Sequence, residues 1–442
     1  MKVGIVGLGH VGQVLLATFT SVGIRVVGVD ISPSVVESLR QGKPTVYESM
    51  LNEILSRSMN KGLYDVSTDY NILIDADIIF ITVPTNIDSN GKFDPRHLLD
   101  VRDKLLRIIR NGCFKTIVIK STVPPGTTRM LFIDYLRKIG LHVGKDYGIA
   151  VNPEFLREGI AINDLINANF VVIGVDDDST YKVIADFWQD FYSRVGNKPK
   201  IIQTTIENAE LSKLVLNSFL AIKISFANMI ADLCEKIPNT DVGDVFKIVG
   251  LDSRIAPHYF GAGLGFGGGC LPKDTKMFFT FGKLLGANMS LLKSALEINN
   301  ERITKVSDII SKVNARRILI LGLSFKGGTD DIRGSRGIEL ANILSSSGYD
   351  VYVYDPVAMN KSKVHLDLKI KTINNPNEAL GSVDAIVIAT DWSEFEEIML
   401  HNIDKIKKGT IIIDGRRLLI NHKNEFLKRG IKYYALGTHQ SE

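Results

Sequence analysis

Short apolar runs alternate with stretches of helical periodicity along this chain, and the alternation predicts an α/β fold. The first run, at residues 2–6, stops at a glycine; a helical stretch at 11–21 follows, and a second run ends at Asp30. This succession predicts a β-α-β unit. Runs at 75–82 and 115–120 are continuously apolar, as is typical of parallel strands covered by helices on both faces. We therefore expect a doubly wound parallel sheet in the first part of the chain.

A long stretch without glycine or proline follows this first pattern. Between about residues 204 and 236, apolar side chains recur at helical spacing until the helix is stopped near Pro238. A glycine-rich loop at 261–269 and a second helical stretch at about 277–313 come next. These segments predict a small helical domain built on a long central helix.

The first pattern returns near the carboxyl end. A strand, a helix and a second strand ending at an aspartate recur over residues 317–355, and later apolar runs echo those at 75–82 and 115–120. We expect two Rossmann-like doubly wound domains joined by the central helix and the small helical domain. The predicted boundaries are 1–203, 204–313 and 314–442. Two nucleotide-sized clefts follow, which suits an enzyme whose cofactor and substrate both carry a nucleotide.

Composition excludes several classes of protein. With 442 residues, of which 45% are hydrophobic and 23% charged, the chain is too long for one ordinary core and too apolar to be disordered. Its 53 Lys and Arg residues are scattered and nearly balanced by 49 Asp and Glu, so we expect no nucleic-acid partner. No run of 18 apolar residues and no C-x-x-C spacing occurs. We expect a cytoplasmic protein with no membrane partner, metal site or disulfide.

Three glycines directly follow the first predicted strand and open the first predicted helix. In this context the pattern formed by Gly7, Gly9 and Gly12 predicts dinucleotide binding, because it permits a tight turn, close approach of a pyrophosphate and close helix packing. Asp30 follows Gly12 by eighteen residues and is placed to accept hydrogen bonds from the adenosine ribose. Its carboxylate would repel a 2′-phosphate, so the pattern predicts NAD rather than NADP. The alternative is a glycine turn without a ligand.

Cys270 ends the glycine-rich loop and is followed by a Leu-Pro pair that favours the first turn of a helix. We expect its thiol at a helix N-terminus near Lys273, where a thiolate is stabilised, and we interpret it as a nucleophile. An inert thiol is the alternative, and it suits Cys113 and Cys234 better. Asp274 lies one helical turn beyond and is placed to hold a water or a base beside the thiol.

Lys213 and Asn217 lie four positions apart on the predicted central helix, so their side chains project from one face. Two such donors can polarise a carbonyl or stabilise an oxyanion. A solvated surface pair is the alternative.

The loop after Gly322, at the end of the first strand in the second copy of the pattern, carries two cations, Lys326 and Arg333, instead of the dinucleotide pattern. It suits a different phosphorylated ligand. Solvated loop charges are the alternative.

Five motifs together resemble the UDP-glucose/GDP-mannose dehydrogenase family over nearly the whole chain. They occur in the family's order and spacing at 152–159, 207–217, 223–228, 265–274 and 325–326. The resemblance implies an NAD-dependent four-electron dehydrogenase that converts a nucleotide sugar to its uronic acid. It also implies a long helix that joins the two Rossmann-like domains and forms a homodimer.

The resemblance implies roles for individual residues. Cys270 becomes the nucleophile. Lys213 with Asn217 becomes the oxyanion-stabilising pair. Water for hydrolysis would be positioned by Thr122, Glu154 and Asp274. Cofactor contacts beyond the three glycines and Asp30 would be Val11, Thr85, Thr122, Glu158, Lys273 and Arg333. Substrate contacts beyond Glu154, Lys213 and Asn217 would be Phe155, Leu156, Phe266, Gly267, Phe325, Lys326 and Arg416, with Arg254 reaching across a dimer.

The implied reaction is two hydride transfers with a covalent interlude: alcohol to aldehyde, attack by the Cys270 thiolate, oxidation to a thioester and hydrolysis. The runs at 152–164 and 217–228 resemble the branch that oxidises UDP-glucose to UDP-glucuronate for polysaccharide biosynthesis, whereas 82–85 resembles the branch acting on UDP-N-acetylmannosamine. GDP-mannose is a further candidate substrate. A two-electron hydroxy-acid or sugar-phosphate dehydrogenase and a non-catalytic nucleotide sensor are the remaining alternatives.

Overall fold

The computed structural model describes residues 1–110 and 114–439, and the chain divides into two compact units, Met1–Leu216 and Asn217–Glu442. Each unit is built on a mainly parallel sheet with helices on both faces. The predicted α/β class with two Rossmann-like domains is confirmed.

The sheet of the first unit has eight strands, and its central strands are buried along their whole length. With a separate two-stranded hairpin, β5–β6, the strands of this unit are β1 Val3–Val6, β2 Val26–Val29, β3 Tyr64–Ser67, β4 Ile78–Ile81, β5 Asn86–Ile87, β6 Phe93–Asp94, β7 Thr116–Ile119, β8 Gly148–Val151, β9 Phe170–Gly174 and β10 Lys200–Thr204. The spatial order is β10-β9-β8-β7-β4-β1-β2-β3. β9 runs antiparallel to β8, whereas the other neighbours in this sheet are parallel.

Seven helices described in this unit cover the two faces of the sheet. They are α1 His10–Ser21, α2 Pro33–Arg40, α3 Leu51–Asn60, α4 Arg96–Ile109, α5 Tyr135–Lys138, α6 Ala161–Ile166 and α7 Asp178–Val195. One apolar core joins the sheet to α1, α3 and α7, and a second core joins its other face to α4 and α5. A π-helical segment, Arg129–Asp134, leads into α5. Continuous burial on both faces explains why the strand sequences do not alternate.

The long central helix is α8, Ile206–Cys234, and the boundary between the two units falls within it. By length and apolar composition alone it could cross a membrane, and 44% of its most apolar window is buried. The core helix of a globular protein passes the same test. Glu210, Lys213 and Asn217 are buried on it and make polar contacts within the fold, so we interpret α8 as a core helix.

The second unit contains the other helices and a six-stranded parallel sheet. Its strands are β11 Arg317–Leu321, β12 Asp350–Tyr354, β13 Lys371–Thr372, β14 Ala385–Ile388, β15 Ile411–Asp414 and β16 Lys432–Ala435. Its helices after α8 are α9 Val242–Val249, α10 Leu271–Leu284, α11 Ser290–Lys312, α12 Arg336–Ser346, α13 Met359–Ser362, α14 Ser393–His401 and α15 Lys423–Lys428. Helices α11 and α12 cover one face of the sheet, and α14 and α15 cover the other.

The internal repeat is visible in the strand orders. The second sheet has the order β13-β12-β11-β14-β15-β16, and the first sheet contains β3-β2-β1-β4-β7-β8 as its corresponding part. Both are the order of a dinucleotide-binding fold, which reverses direction beside the first strand and opens a crevice at the carboxyl ends. Asp30 accepts the N–H of Leu8 at 2.7 Å, and Asp355 accepts the N–H of Leu323 at 2.8 Å, so even the terminal aspartates repeat.

Candidate active site

The turn between β1 and α1 has the properties required for a dinucleotide. Gly7 has a φ of +90°, and a Cβ there would lie 2.9 Å from the backbone nitrogen of Val83. A Cβ on Gly12 would lie 2.0 Å from the carbonyl oxygen of Gly7, so Gly12 is required for the helix to pack on the strand. A Cβ on Gly9 would meet no atom within 4 Å, which leaves its backbone open to a ligand. The turn therefore fits a pyrophosphate at the helix N-terminus.

Asp30 lies at the end of β2, beside this turn, as predicted. Its carboxylate accepts hydrogen bonds from the backbone N–H groups of Leu8, at 2.7 Å, and Ser32, at 2.9 Å. These bonds fix the carboxylate next to the glycine turn at the crevice of the sheet. Its position fits recognition of an adenosine ribose. Val11, in the first turn of α1, is partly buried in the same region, and Thr85 is buried just after β4.

A contact that sequence reasoning missed joins α1 to the segment at 152–159. His10 contacts Glu48 at 2.9 Å, and Glu48 accepts the N–H groups of Gly159 and Ala161 at 2.8 and 2.9 Å. Burial lowers the pKa of His10, but Glu48 and the charges of Glu158 and Glu154 outweigh burial, so the pKa is raised. This contact holds the predicted Glu158 segment beside the dinucleotide turn. A glutamate in an irregular stretch gave no local signal for it.

Glu154 and Lys213 form a buried ion pair in the first unit. Lys213 Nζ lies 2.9 Å from Glu154 Oε1, and the other carboxylate oxygen accepts the N–H of Leu156 at 2.6 Å. Burial raises the pKa of Glu154, but Lys213, the Leu156 N–H and Lys120 outweigh it, so the pKa is lowered and the group stays ionised. Phe155 packs its ring 5.5 Å from Lys213 Nζ. Four residues predicted for the site are thus brought together.

Lys120 is a second buried lysine near this pair, and the sequence analysis did not select it. It follows β7 directly and is 4% exposed. Its position at the carboxyl end of a buried strand was the signal that could have identified it, because ligands of such sheets bind at that edge.

The loop that carries Thr122 is anchored to the beginning of α8. Glu210 accepts the N–H groups of Gly126 and Thr128 at 2.6 and 2.8 Å. Burial raises the pKa of Glu210 to about 7, although these N–H groups oppose the shift. Thr122 is partly buried at the start of this loop, which follows β7. The anchor fixes the loop relative to the helix turn that carries Lys213.

In the second unit, Cys270 is the residue immediately before α10, as predicted, and its side chain is exposed. Asp274 donates its backbone N–H to the Cys270 carbonyl at 2.8 Å. The Asp274 carboxylate is buried and receives a hydrogen bond from Asn217 at 2.6 Å and an ion pair from Lys273. Cys234 is buried. Cys113, for which an inert thiol was expected, lies outside the described residues.

The glycines before Cys270 are required by the packing of the protein itself. A Cβ on Gly267 would lie 2.2 Å from the Gly334 carbonyl oxygen, and one on Gly268 would lie 2.9 Å from the Phe325 ring. A Cβ on Gly269 would lie 2.3 Å from the guanidinium of Arg333. The loop after β11 therefore packs against the glycine-rich loop. This packing places Phe325 and Arg333, both predicted ligand contacts, next to the segment that carries Cys270.

Arg416 lies at the same end of this sheet. It is partly buried, and it donates to the carbonyl oxygens of Ala389 at 2.8 Å and Phe325 at 3.2 Å. Lys326 Nζ lies 5.8 Å from the Phe325 ring centroid. Phe266 is buried, and its N–H donates to Asn299 at 2.7 Å. Arg254 instead projects outward, 85% exposed, and pairs with Asp252. This exposed arginine is the one predicted to reach across a dimer.

Comparison with known proteins identifies the family of the chain. The UDP-glucose/GDP-mannose dehydrogenase family matches through its NAD binding domain at residues 1–192, its central domain at 207–301 and its UDP binding domain at 319–421. The chain is 35% identical over 441 residues to the UDP-glucose 6-dehydrogenase AglM of Haloferax volcanii. The alignment covers 99% of this chain and 100% of that relative.

Two solved structures resemble the whole chain. A UDP-glucose dehydrogenase from Pyrobaculum islandicum has a TM-score of 0.88 at 36% identity and covers 99% of this chain and 98% of its own. A UDP-D-ManNAc dehydrogenase from Pyrococcus horikoshii has a TM-score of 0.83 at 27% identity, with 99% of both chains covered. With the NAD-type glycine turn and Asp30 in place, the chain belongs to the UDP-glucose/GDP-mannose dehydrogenase family and is an NAD-dependent nucleotide-sugar dehydrogenase.

Proposed function

We propose that the enzyme oxidises UDP-glucose to UDP-glucuronate in a four-electron reaction through a thioester on Cys270. The observation that carries this proposal is the full set of reactive side chains expected for the chemistry. The first unit holds the buried Lys213–Glu154 pair, and the second holds Asn217, bonded to Asp274, and an exposed thiol at the start of α10.

The chemistry explains why each of these groups is needed. NAD, when bound, supplies the hydride acceptor for both oxidations. An aldehyde has no hydride to give until a nucleophile makes it tetrahedral, and the Cys270 thiolate does this while it retains the reactive intermediate. Lys213 and Asn217 offset negative charge on the sugar oxygen. Glu154, Asp274 and Thr122 orient the water that releases the carboxylate.

The remaining predicted residues divide between the two ligands. We assign Gly7, Gly9, Val11, Gly12, Asp30, Thr85, Glu158, Lys273 and Arg333 to NAD. We assign Phe155, Leu156, Arg254, Phe266, Gly267, Phe325, Lys326 and Arg416 to the sugar nucleotide. The divisions at 1–203, 204–313 and 314–442 remain our functional domains.

UDP-glucose is supported as the sugar by the runs at 152–164 and 217–228 and by the relatives above that are named for it. UDP-N-acetylmannosamine is the second candidate, because residues 82–85 resemble that branch and the Pyrococcus structure bears its name. Residues 82–85 follow β4 and contact the glycine turn: Thr82 Oγ1 donates to the Gly7 carbonyl at 2.6 Å. They therefore belong to the cofactor side, and we give them less weight for the sugar.

We further propose that the enzyme works in the cytoplasm as a homodimer, in the synthesis of a polysaccharide. The apolar face of α8 supports the dimer. Phe219, Phe226, Met229 and Leu233 are all exposed and project within one side of the helix.

The test is NAD reduction by purified enzyme with a panel of UDP-glucose, UDP-N-acetylmannosamine and GDP-mannose at equal concentration. We expect two NADH per UDP-glucose consumed, with UDP-glucuronate as the product by chromatography. A ratio of one would reject the four-electron mechanism. Faster initial rates with another sugar would leave the family intact and overturn the choice of UDP-glucose.

A further inference from the structure

We propose that Lys120 accepts the proton that Glu154 takes up in each turnover and passes it to solvent, an inference that rests on the proposed function. Lys120 acts on the reaction only through Glu154 and is therefore a positioning residue. It lies in the first unit and lines the same cavity as Glu154, the partner of Lys213.

The amino group of Lys120 is held in one place by a single partner. Nζ donates to the backbone oxygen of Asn152 at 3.2 Å and to its side-chain Oδ1 at 3.1 Å. The side-chain amide of Asn152 cannot flip without losing a hydrogen bond, because its Nδ2 donates to the Val172 carbonyl at 2.7 Å. The residue that holds Lys120 is thus fixed between β8 and β9.

These two hydrogen bonds match the valence of a neutral amine. An amine has two N–H bonds and one lone pair, whereas an ammonium has three N–H bonds. Among the described residues, Asn152 alone accepts a hydrogen bond from Lys120 Nζ. The third position on nitrogen is therefore available as a lone pair, which is what a proton acceptor requires.

The charges around Lys120 favour the same form. Burial and the positive charge of Lys213 lower its pKa to about 7, while Glu154 opposes the shift. The α7 side chains that line this region, Trp188 and Tyr192, are uncharged aromatic rings, and Trp188 lies 5.4 Å from Nζ. The single negative charge of Glu154 balances the positive charge of Lys213, so the three groups have no net charge when Lys120 is neutral. Lys120 therefore changes protonation near neutral pH.

A cavity connects Lys120 to the surface. Its volume is about 340 Å³, and its lining includes the buried Lys120 and Trp188, Glu154, and the exposed Asn167 and Asn169. Arg157 and Asp164 also line it and form an ion pair with each other at 2.6 Å. Water that enters between the asparagines therefore reaches the side of the site where Lys120 and Glu154 lie.

The proton transfers balance without any further reactant. In hydrolysis of the thioester, the water oxygen forms the new C–O bond, one O–H bond of the water breaks and its proton goes to the Glu154 carboxylate. The C–S bond then breaks with its electron pair left on the Cys270 sulfur, which leaves as the thiolate. The O–H bond of Glu154 then breaks with its electron pair left on the carboxylate, and the Lys120 lone pair forms a new N–H bond, through water in the shared cavity. The ammonium returns the proton to solvent water, which restores both groups for the next turnover.

The test is chemical rescue of Lys120→Ala by small primary amines, with UDP-glucose and NAD as substrates. We expect turnover to fall on the order of 10²-fold, within the usual contribution of a proton-transfer group. Methylamine or ethylamine should restore much of the rate, and the restored rate should depend on the pKa of the amine. The matched control is Lys115→Ala, because Lys115 is equally buried at the opposite end of β7 and lies outside the site. Amines should leave its rate unchanged.

Two further variants keep the test decisive where Lys120→Ala does not fold. Lys120→Met preserves the stem without nitrogen, and Lys120→Arg preserves the charge without a usable lone pair. We expect the wild-type rate to rise near pH 7, and we expect both variants to be slow and to lack this rise. A wild-type rate and pH profile in either variant would overturn the proposal, and so would loss in Lys120→Ala that no amine restores. Absence of NAD reduction by the wild type with every sugar would instead overturn the proposed function, and this inference with it.

Discussion

Asn217 donates a hydrogen bond from Nδ2 to Oδ2 of Asp274 at 2.6 Å, and both side chains are buried. Lys273 pairs with the other carboxylate oxygen. Asp274 stands one helical turn beyond Cys270, to whose carbonyl it donates its backbone N–H. The carboxylate is thus held by two donors at a fixed place on the helix that begins after the proposed nucleophile.

Replacement of Asp274 by Asn should separate the oxidations from hydrolysis. The amide keeps the shape and can still accept a hydrogen bond, but it cannot accept a proton from water. We expect a burst of NADH followed by a steady state slower on the order of 10²-fold. Intact mass spectrometry should show the acyl group retained on the protein. Asp404→Asn, at an aspartate whose side chain is 84% exposed, is the control, and an unchanged steady state in Asp274→Asn would contradict the assigned role.

Cys270→Ser should abolish the complete reaction. A serine alkoxide is far less available at neutral pH than a thiolate, so the aldehyde is not carried to the thioester. We expect less than two NADH per substrate, with an aldehyde trapped by hydroxylamine or a stalled adduct on the protein. Cys234→Ser is the matched control at a buried thiol. Undiminished turnover by Cys270→Ser would exclude it as the nucleophile.

Asp30→Asn should weaken the preference for NAD over NADP. The amide oxygen can still accept the Leu8 N–H, so the glycine turn is preserved while the charge is lost. Removal of a carboxylate near a 2′-phosphate relieves repulsion of about 1 kcal/mol or more, so the ratio of kcat/KM values should fall roughly fivefold or more. Steady-state kinetics with both cofactors measure this ratio, and Asp65→Asn, at an exposed aspartate of β3, is the control. An unchanged ratio would show that Asp30 does not read the ribose.

Much of the fold could be predicted from the sequence because its signals are local. Glycine turns, continuous apolar runs and a glycine-free helix each lie within a short window, and their repetition gave two copies of one strand order. The pattern did not give β9 antiparallel to β8, because an apolar run carries no sign of strand direction.

The site was predicted in its residue types more fully than in its contacts. Lys213 and Glu154 are far apart in sequence, and so are Glu210 and Thr128, so only the folded chain brings each pair together. Three of the glycines before Cys270 are required by side chains or backbone some sixty residues later, and no local pattern shows this requirement. Lys120 was missed because a lysine after a strand resembles an ordinary strand end.

Glu210 should make stability depend on pH in an unusual direction. Its pKa is about 7 in the folded protein and about 4.3 in an unfolded chain. Between these values the folded state binds more protons, so the free energy of unfolding should fall as pH rises from about 4 to 7 and then level off. Glu210→Gln should remove this contribution, which flattens the melting temperature over that range.

The control for Glu210 is Glu207, one helical turn earlier, whose pKa is shifted in the opposite direction. Arg129 lowers the pKa of Glu207, so the stability contributed by Glu207 is present at neutral pH and is lost in acid. Thermal melts of Glu207→Gln and Glu210→Gln from pH 4 to 8 should therefore differ from the wild type with opposite slopes. Equal slopes would contradict the raised pKa of Glu210.

The exposed side of α8 should form the dimer interface. Phe219, Phe226 and Leu233 recur every seven residues, and Phe219 is 59% exposed. Scattered apolar residues are common on surfaces, but a contiguous helical stripe of aromatic and aliphatic side chains marks a contact. Phe219→Asp combined with Phe226→Asp should convert a dimer to a monomer in light scattering. Leu368→Asp, at an isolated exposed leucine, should leave the mass unchanged, and a monomeric wild type at working concentration would refute the assignment.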